Sequence, residues 1–139
     1  MRILPFTRAH LENFEPLIPG LFDVPEYHIL SLENAYSFSL FHDDGRIIAI
    51  GGLADNWPGR RTAWFAMSKH SGRHMTAITR ATRNVLARVP SGERVEATTC
   101  KGFAAGYRWL EMLGFEKEAE CMKAYTPGQD HALFAMVAP

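Results

Sequence analysis

The chain has 139 residues, 47% of them apolar and 22% charged, a composition typical of one globular domain. No apolar run approaches the roughly 18 residues of a membrane-spanning helix, and the first residues lack a secretory signal, so we expect one cytoplasmic domain over residues 1–139 without membrane association. Fifteen basic residues balance fifteen acidic ones, which argues against non-specific capture of nucleic acid as the main activity.

The first part of the chain predicts an edge strand followed by two helices. Residues 2–6 read as a short edge strand, since a proline within them removes a ladder donor. Apolar residues recur at helical spacing within residues 8–18, behind Thr7 as the N-cap. A second short helix is predicted from about residue 25 to residue 34, with a proline at its start.

A three-stranded antiparallel meander is predicted next. Residues 37–41 alternate between polar and apolar, and the strand 46–53 follows the turn at Asp43, Asp44 and Gly45. A second turn, of sequence W-P-G, leads into a third strand at residues 62–67.

The remaining elements predict an α/β (α+β) fold with a mixed, mostly antiparallel sheet and about four helices. An amphipathic helix is predicted at 75–88, a strand at 94–100, a helix at 103–113 and a closing hairpin of strands 119–125 and 131–137. Because a helix separates them, the strands that begin at Thr62 and Arg94 are predicted to be parallel, with a right-handed crossover.

The turn between the third strand and its following helix has the sequence S-K-H-S-G-R-H-M. A glycine turn that opens a helix exposes backbone N–H groups at the positive end of the helix dipole, which favours phosphate. Gly72 lets an anion approach the main chain, and the stretch 60–88 carries arginines and a lysine but no acidic residue. A plain strand-to-helix connector with a solvated basic surface is the alternative.

Cysteine and histidine usage gives no sign of a metal site. Cys100 and Cys121 lack metal-type spacing and are predicted to be buried, reduced thiols. His70 and His74 have helical i, i+4 spacing but no third ligand in the sequence nearby, so we predict no metal.

At this point the order of elements resembles the GCN5-related N-acetyltransferase (GNAT) superfamily over nearly the whole chain. In that family the turn before the long helix carries Arg/Gln-x-x-Gly-x-Gly/Ala, whose amides hold the pyrophosphate of acetyl-CoA. The resemblance places this cofactor site on the matching residues here, which are Lys69, His70, Ser71, Gly72, Arg73 and His74. It also implies that the main chain of Phe65, Ala66 and Met67 contacts the pantetheine arm, where the strand splays from its neighbour.

A second landmark is the segment from Tyr107 to Phe115, which is similar to the family's Tyr-x-x-x-Gly-Phe signature. The W-P-G turn, the R-W-L-x-x-L-G-F segment and the closing Y-x-P-G-x-D hairpin further resemble a small phage-encoded branch found near podovirus virion genes. The sequence departs from the family at two positions. His74 stands where the family has Gly or Ala, and Leu110 stands where it has the tyrosine that protonates the thiolate.

The resemblance implies that an amine attacks the thioester of acetyl-CoA with the help of a base and an acid. Glu96 and Asp55 are the candidate bases, acting directly or through water, and each is also compatible with a solvent-facing strand carboxylate. Tyr107, one helical turn before Leu110, is the candidate acid or else a packed aromatic residue. Cys100 as an acyl carrier is less favoured than Cys100 as a small core residue.

Three functions stay open from the sequence. The first is an acyl-CoA-dependent N-acyltransferase acting on a small-molecule or protein amine. The second is a non-catalytic phage or prophage protein of the same fold, acting in virion morphogenesis or host interaction. The third is an enzyme or module acting on nucleic acid, suggested by the acid-free basic stretch. The oligomeric state is open, with a dimer compatible.

Overall fold

The structure of the chain is a computed structural model that describes residues 1–20 and 22–139. The strands are β1 (Arg2–Leu4), β2 (Phe38–Phe41), β3 (Ile47–Trp57), β4 (Arg60–Met67), β5 (Arg94–Cys100), β6 (Glu116–Thr126) and β7 (Gln129–Val137). The helices are a 3-10 helix (Arg8–Asn13), α1 (Glu26–Leu30), α2 (Met75–Leu86) and α3 (Ala104–Met112). The strands form a seven-stranded sheet in the order β1-β2-β3-β4-β5-β7-β6.

The sheet is mixed, as predicted. Strands β4 and β5 are parallel, with Arg60 opposite Arg94 and Thr62 opposite Glu96. The pairs β1–β2, β2–β3, β5–β7 and β6–β7 are antiparallel. A parallel pair needs a long crossover, and here the crossover contains α2. The predicted α/β class, the edge position of β1 and the parallel pair are therefore confirmed.

The first predicted helix is shorter than expected and has a different geometry. Thr7 is the N-cap, but the element is a 3-10 helix that ends at Asn13. Pro16 disfavours helical geometry at the residue before it, and it forms an antiparallel bridge with Ser68 instead. The apolar spacing up to residue 18 therefore does not continue the helix.

The second helix is also shorter than predicted. Pro25 is its N-cap, but α1 ends at Leu30. Asn34 then uses its side chain to accept a bond from the Tyr36 amide (2.8 Å) and to donate to the Leu53 carbonyl (2.9 Å). Such local side-chain bonds compete with helical ones. None of the helices among the described residues is long and apolar enough to cross a membrane.

Several strands are longer than predicted, because the sheet pairs residues that their sequence does not mark as strand. β3 continues to Trp57 rather than ending at residue 53, and β6 and β7 extend the closing hairpin at both sides of its turn. Gly59 (φ 84°) and Gly128 (φ 75°) adopt the left-handed conformation in the two turns. The predicted strand 94–100 and the start of the helix at residue 75 are confirmed.

The described residues form two compact units. The first contains Met1–Ala54 and Trp64–Arg88. Its core gathers residues from the early helices and from β3 and β4: Phe6, Phe14, Ile29, Leu32, Ile47, Ile50 and Ala66. From α2, Ile78, Ala81 and Val85 are also buried.

The second unit contains Asp55–Ala63 and Val89–Pro139. Its buried side chains come from β5, α3 and β7, and include Val95, Ala97, Leu110, Leu113, Phe115 and Phe134. Helix α3 lies close against β5, since a Cβ on Gly106 would come within 2.5 Å of the Thr99 hydroxyl oxygen. That close approach fixes α3, and with it Tyr107, against the strand.

Candidate functional site

The turn between β4 and α2 has a fixed internal structure. Ser68 is 1% exposed, and its hydroxyl oxygen accepts a hydrogen bond from the His70 amide at 3.0 Å. The Ser71 hydroxyl donates to the Ser68 carbonyl at 2.9 Å, and the His74 amide donates to the Ser71 carbonyl at 2.8 Å. The two serines therefore hold the turn in one shape before α2 begins.

The turn is also tied to neighbouring segments of the first unit. The Ser68 amide donates to the Ile48 carbonyl (3.0 Å), and the Lys69 amide donates to the Glu15 carbonyl (3.0 Å). These bonds fix the start of the turn against β3 and against the segment that follows the 3-10 helix. Ser68 was not among the residues selected from the sequence, because its burial and its hydrogen bonds are properties of the fold.

Several amides at the end of the turn are available to a ligand. Within the described residues, Gly72 and Arg73 have no acceptor for their backbone N–H groups. The first three amides of α2, at residues 75–77, have no acceptor within the helix, since the first such bond runs from the Ile78 amide to the His74 carbonyl (3.0 Å). The first turn of α2 contains no acidic residue. The arrangement can bind an anion through backbone donors.

Basic side chains surround this end of α2. Arg46 donates from Nη1 to Nδ1 of His70 at 3.1 Å, and Nε2 of His70 lies 3.6 Å from a carboxylate oxygen of Glu15. Lys69 and Arg73 are exposed and have no carboxylate partner among the described residues. The contact with Arg46 joins the β2–β3 hairpin to the turn, which the sequence did not predict.

The strand residues before the turn are only partly in the core. Ala66 is buried, whereas Phe65 and Met67 are half-buried. The Met67 carbonyl accepts a hydrogen bond from the Leu17 amide at 2.8 Å, so that main-chain group already has a partner. The indole N–H of Trp64 is buried without an acceptor among the described residues.

Glu96 on β5 is held by two arginines. Arg60 Nε and Arg94 Nε lie 2.8 and 2.9 Å from its carboxylate, and Arg94 also binds Glu118 at 2.5 Å. Hydrogen bonds from Arg60, and then from Arg94, hold the pKa of the Glu96 carboxyl below its usual range. A carboxylate stabilised in this way is a weaker base, although its charge remains available to orient a cation.

Asp55, the other candidate base, is more exposed. Its carboxylate lies 3.1 Å from Arg61 Nε, and 75% of its side chain is accessible to solvent. Arg61 also pairs closely with Glu93. Asp55 and Glu96 are thus bound by consecutive arginines of β4, which places both candidates at the start of that strand.

Tyr107 lies near the start of α3, with its ring packed edge-on against Phe134 (centroids 5.2 Å apart). Its hydroxyl accepts a hydrogen bond from the Gly102 amide (3.0 Å) and donates to Glu120 (3.3 Å). Leu110, at the position of the family's tyrosine, is 7% exposed and belongs to the core. Tyr107 thus brings a hydroxyl group to this part of α3, whereas the Leu110 side chain has no polar hydrogen to donate.

The prediction that both cysteines are buried is wrong for Cys100. Cys100 is exposed at the end of β5 and donates from Sγ to the Gln129 side chain at 2.9 Å, while Cys121 is half-buried. The end of a strand next to a turn exposes a residue that the sequence pattern would bury. No group of three or more His, Cys, Asp or Glu side chains among the described residues is placed to hold a metal ion.

Comparison with known proteins finds similarity in structure alone. No family model matches the sequence, and no curated protein matches it. A phosphinothricin acetyltransferase of the GNAT superfamily from Sinorhizobium meliloti, in complex with acetyl-CoA, is 14% identical, with a TM-score of 0.75 over 99% of this chain and 88% of that one. A GNAT-family acetyltransferase from Bacillus cereus is 12% identical, with a TM-score of 0.72 over 99% and 97% of the two chains.

A third similar structure is longer than this chain. It is a mutant of the spermidine N-acetyltransferase SpeG from Vibrio cholerae, 15% identical with a TM-score of 0.59 over 73% of this chain. The chain spans 64% of the length of that protein. Together these likenesses show that the chain has the GNAT fold, as its sequence predicts. The narrower resemblance to a phage-encoded branch stays a prediction.

Proposed function

We propose that the protein is an acyl-CoA-dependent N-acyltransferase that moves an acetyl group from acetyl-CoA to an amine. The observation that supports this most strongly is the set of unpaired amides at Gly72, Arg73 and the first turn of α2. A diphosphate is the anion that a run of backbone donors at a helix N-terminus suits well. A shared fold does not by itself establish transfer, so the proposal rests on this turn.

In the proposed complex, the pyrophosphate of acetyl-CoA binds the turn that contains Lys69, His70, Ser71, Gly72, Arg73 and His74. The backbone of Phe65, Ala66 and Met67 would contact the pantetheine arm, apart from the Met67 carbonyl, which Leu17 occupies. Lys69 and Arg73 supply positive charge at the rim of the turn. Each phosphate oxygen would then be met by an amide, a side-chain cation or water.

The proposed reaction is direct transfer. The amine nitrogen attacks the thioester carbonyl carbon while a base takes its proton, and a backbone N–H stabilises the negative oxygen that forms. The carbonyl re-forms as the carbon–sulfur bond breaks, and the CoA thiolate takes a proton from an acid. The products are an amide and CoA, and no oxidant or further reactant is needed.

Asp55 and Glu96 are the proposed bases, and their surroundings differ. Two arginines bind Glu96, so it accepts a proton less readily than a free carboxylate. Asp55 shares its one arginine with Glu93 and is open to solvent. Asp55 can therefore take a proton through water, while Glu96 is better suited to orienting a cationic amine.

Tyr107 is the proposed acid. Its hydroxyl hydrogen now points to Glu120, so protonation of a thiolate requires that bond to exchange. A water molecule that carries the proton from the hydroxyl to the thiolate would serve the same purpose.

The binding step can be tested at Gly72. A Cβ at this position meets no atom within 4 Å, so side chains can be introduced without displacing the turn. We expect Gly72→Asp to weaken acetyl-CoA binding about tenfold or more in calorimetry, because a carboxylate would repel the diphosphate. Gly72→Asn has nearly the same shape without charge, so it measures the steric part of the loss and should weaken binding less than Gly72→Asp does. Absence of acetyl-CoA binding by the unmodified protein would refute the proposal.

The proposed acceptor of the acetyl group is an amine. One similar structure is a spermidine N-acetyltransferase and another a phosphinothricin acetyltransferase, so polyamines and amino-acid-like amines are the first compounds to assay. A thiol-release assay with these amines, and with a protein extract, measures turnover directly. We also propose a cytoplasmic location, and a phage or prophage origin stays part of the proposal.

A non-catalytic protein of the same fold is the second candidate. The observation that favours it is the burial of Leu110 at the position of the family's proton-donating tyrosine. Acetyl-CoA binding without turnover on any amine would support this candidate.

Salt-sensitive binding to RNA or DNA would instead support the third function, action on nucleic acid, through basic residues that include Arg73, Arg80 and Arg88.

A further inference from the structure

A cleft of about 270 Å³ lies within the first unit, away from the turn that precedes α2. Most of its lining residues are apolar, among them Leu4 of β1, Phe38 of β2 and Val85 of α2, while Asn34 and Ser37 are polar. Asn84 and Arg88 line it with polar side chains, and both are exposed. The volume lies just below the range of about 300–1,000 Å³ for small-molecule sites, so it suits a small ligand.

The charge of the cleft is defined by one residue. Arg88 is the only ionisable side chain among the lining residues, and no carboxylate pairs with it in the described part of the chain. Its guanidinium carbon lies 5.3 Å from the centre of the Tyr36 ring. Stacking on an aromatic ring orients the guanidinium while leaving its N–H groups free to donate.

A second polar side chain lines the same cleft. Asn84 lies in the last turn of α2, and Arg88 lies two residues beyond the end of that helix. Within the described residues the Asn84 side chain has no hydrogen-bond partner. The cleft therefore offers a fixed cation and an unpaired amide beside a mostly apolar lining.

We propose that this cleft binds a small monocarboxylate with an apolar body. Arg88 pairs with the carboxylate through two parallel N–H···O bonds, and Asn84 donates to a remaining lone pair. The apolar body lies against Ile3 and Leu4, whose side chains keep exposed apolar surface from which it displaces water. A dianion or a phosphate ester fits less well, because the cleft has a single cation and a mostly apolar lining.

The site is independent of the proposed acetyl transfer and can be tested without any acyl-CoA. The probe is 3-phenylpropionate, and its matched neutral control is 3-phenylpropan-1-ol. Binding is followed by amide shifts in two-dimensional NMR spectra of the uniformly ¹⁵N-labelled full chain, titrated with each compound. We expect saturable shifts centred on Phe38, Ala81 and Val85 with the carboxylate, and affinity lower by about tenfold or more with the alcohol.

Two arginine variants separate a specific site from general attraction to a basic surface. Arg88→Gln should weaken 3-phenylpropionate binding about tenfold or more and leave the weak binding of the alcohol unchanged. Arg80→Gln removes an exposed arginine of α2 that does not line the cleft, and should leave both affinities unchanged. The proposal is overturned if 3-phenylpropionate gives no saturable shifts at Phe38, Ala81 and Val85. It is also overturned if the two arginine variants weaken 3-phenylpropionate binding equally.

Discussion

The imidazole rings of His42 and His74 lie with their centroids 5.3 Å apart and their planes inclined by 59°. His42 follows β2, and His74 is the N-cap of α2. The side chain that replaces the family's glycine or alanine thus packs against the β2–β3 hairpin. Its backbone amide bonds the Ser71 carbonyl, and neither contact uses the amides of Gly72 and Arg73.

This arrangement predicts that His74 is not required for cofactor binding. We expect His74→Ala to change the dissociation constant for acetyl-CoA by less than about threefold in calorimetry, because the side chain makes no capping bond. A loss of affinity as large as that of Gly72→Asp would show instead that the imidazole contacts the diphosphate.

Gly52 is predicted to be intolerant of any side chain. A Cβ there would lie 2.6 Å from both the Ser37 Cα and the Tyr36 carbonyl oxygen, and backbone atoms cannot move aside cheaply. We expect Gly52→Ala to lower the free energy of unfolding by about 1–3 kcal/mol in urea titrations. Gly72→Ala, which meets no atom within 4 Å, is the control and should change it by less than about 0.5 kcal/mol. Equal stability of the two variants would contradict the close packing at Gly52.

Glu96 is predicted to make stability depend on pH. Its arginine partners lower the pKa of the folded-state carboxyl, so its contribution is present at pH values above the unfolded-state pKa. That contribution is lost as the pH falls through the lowered folded-state value. We expect Glu96→Gln to cost about 1 kcal/mol at pH 7, a modest value because Arg60 is half exposed, and much less at pH 3.

Urea titrations at several pH values, with Arg60→Gln and the double variant in the same series, measure this coupling. The double variant should cost less than the sum of the two single ones at pH 7. A cost for Glu96→Gln that does not change between pH 7 and pH 3 would rule out the charge as its cause.

Tyr107→Phe is predicted to separate proton donation from packing. The ring contact with Phe134 is retained, while the bonds to the Gly102 amide and to Glu120 are lost. If the proposed acid is correct, kcat should fall about tenfold or more, with unchanged affinity for acetyl-CoA. Stability should fall by about 1 kcal/mol in either case. Unchanged kcat with reduced stability would leave water as the proton donor.

The sequence by itself determined the fold class, the order of elements and the position of the turn. Alternation and glycine turns place β2, β3 and β5, and the helix between β4 and β5 supplies the long crossover that a parallel pair needs. The amphipathic pattern sets the start of α2 at Met75. These signals are local, since each depends on spacing within about ten residues and on the φ that glycine allows.

Only the tertiary structure decided the geometry of the early helices and the surroundings of the candidate residues. The segment after the 3-10 helix leaves helical geometry, and its Pro16 pairs with Ser68, which is far away in the sequence. The charge state of Glu96 depends on Arg60, 36 residues earlier, and on its neighbour Arg94. Hydrogen bonds and desolvation depend on which groups the folded chain brings within 3 Å, and no local spacing specifies that.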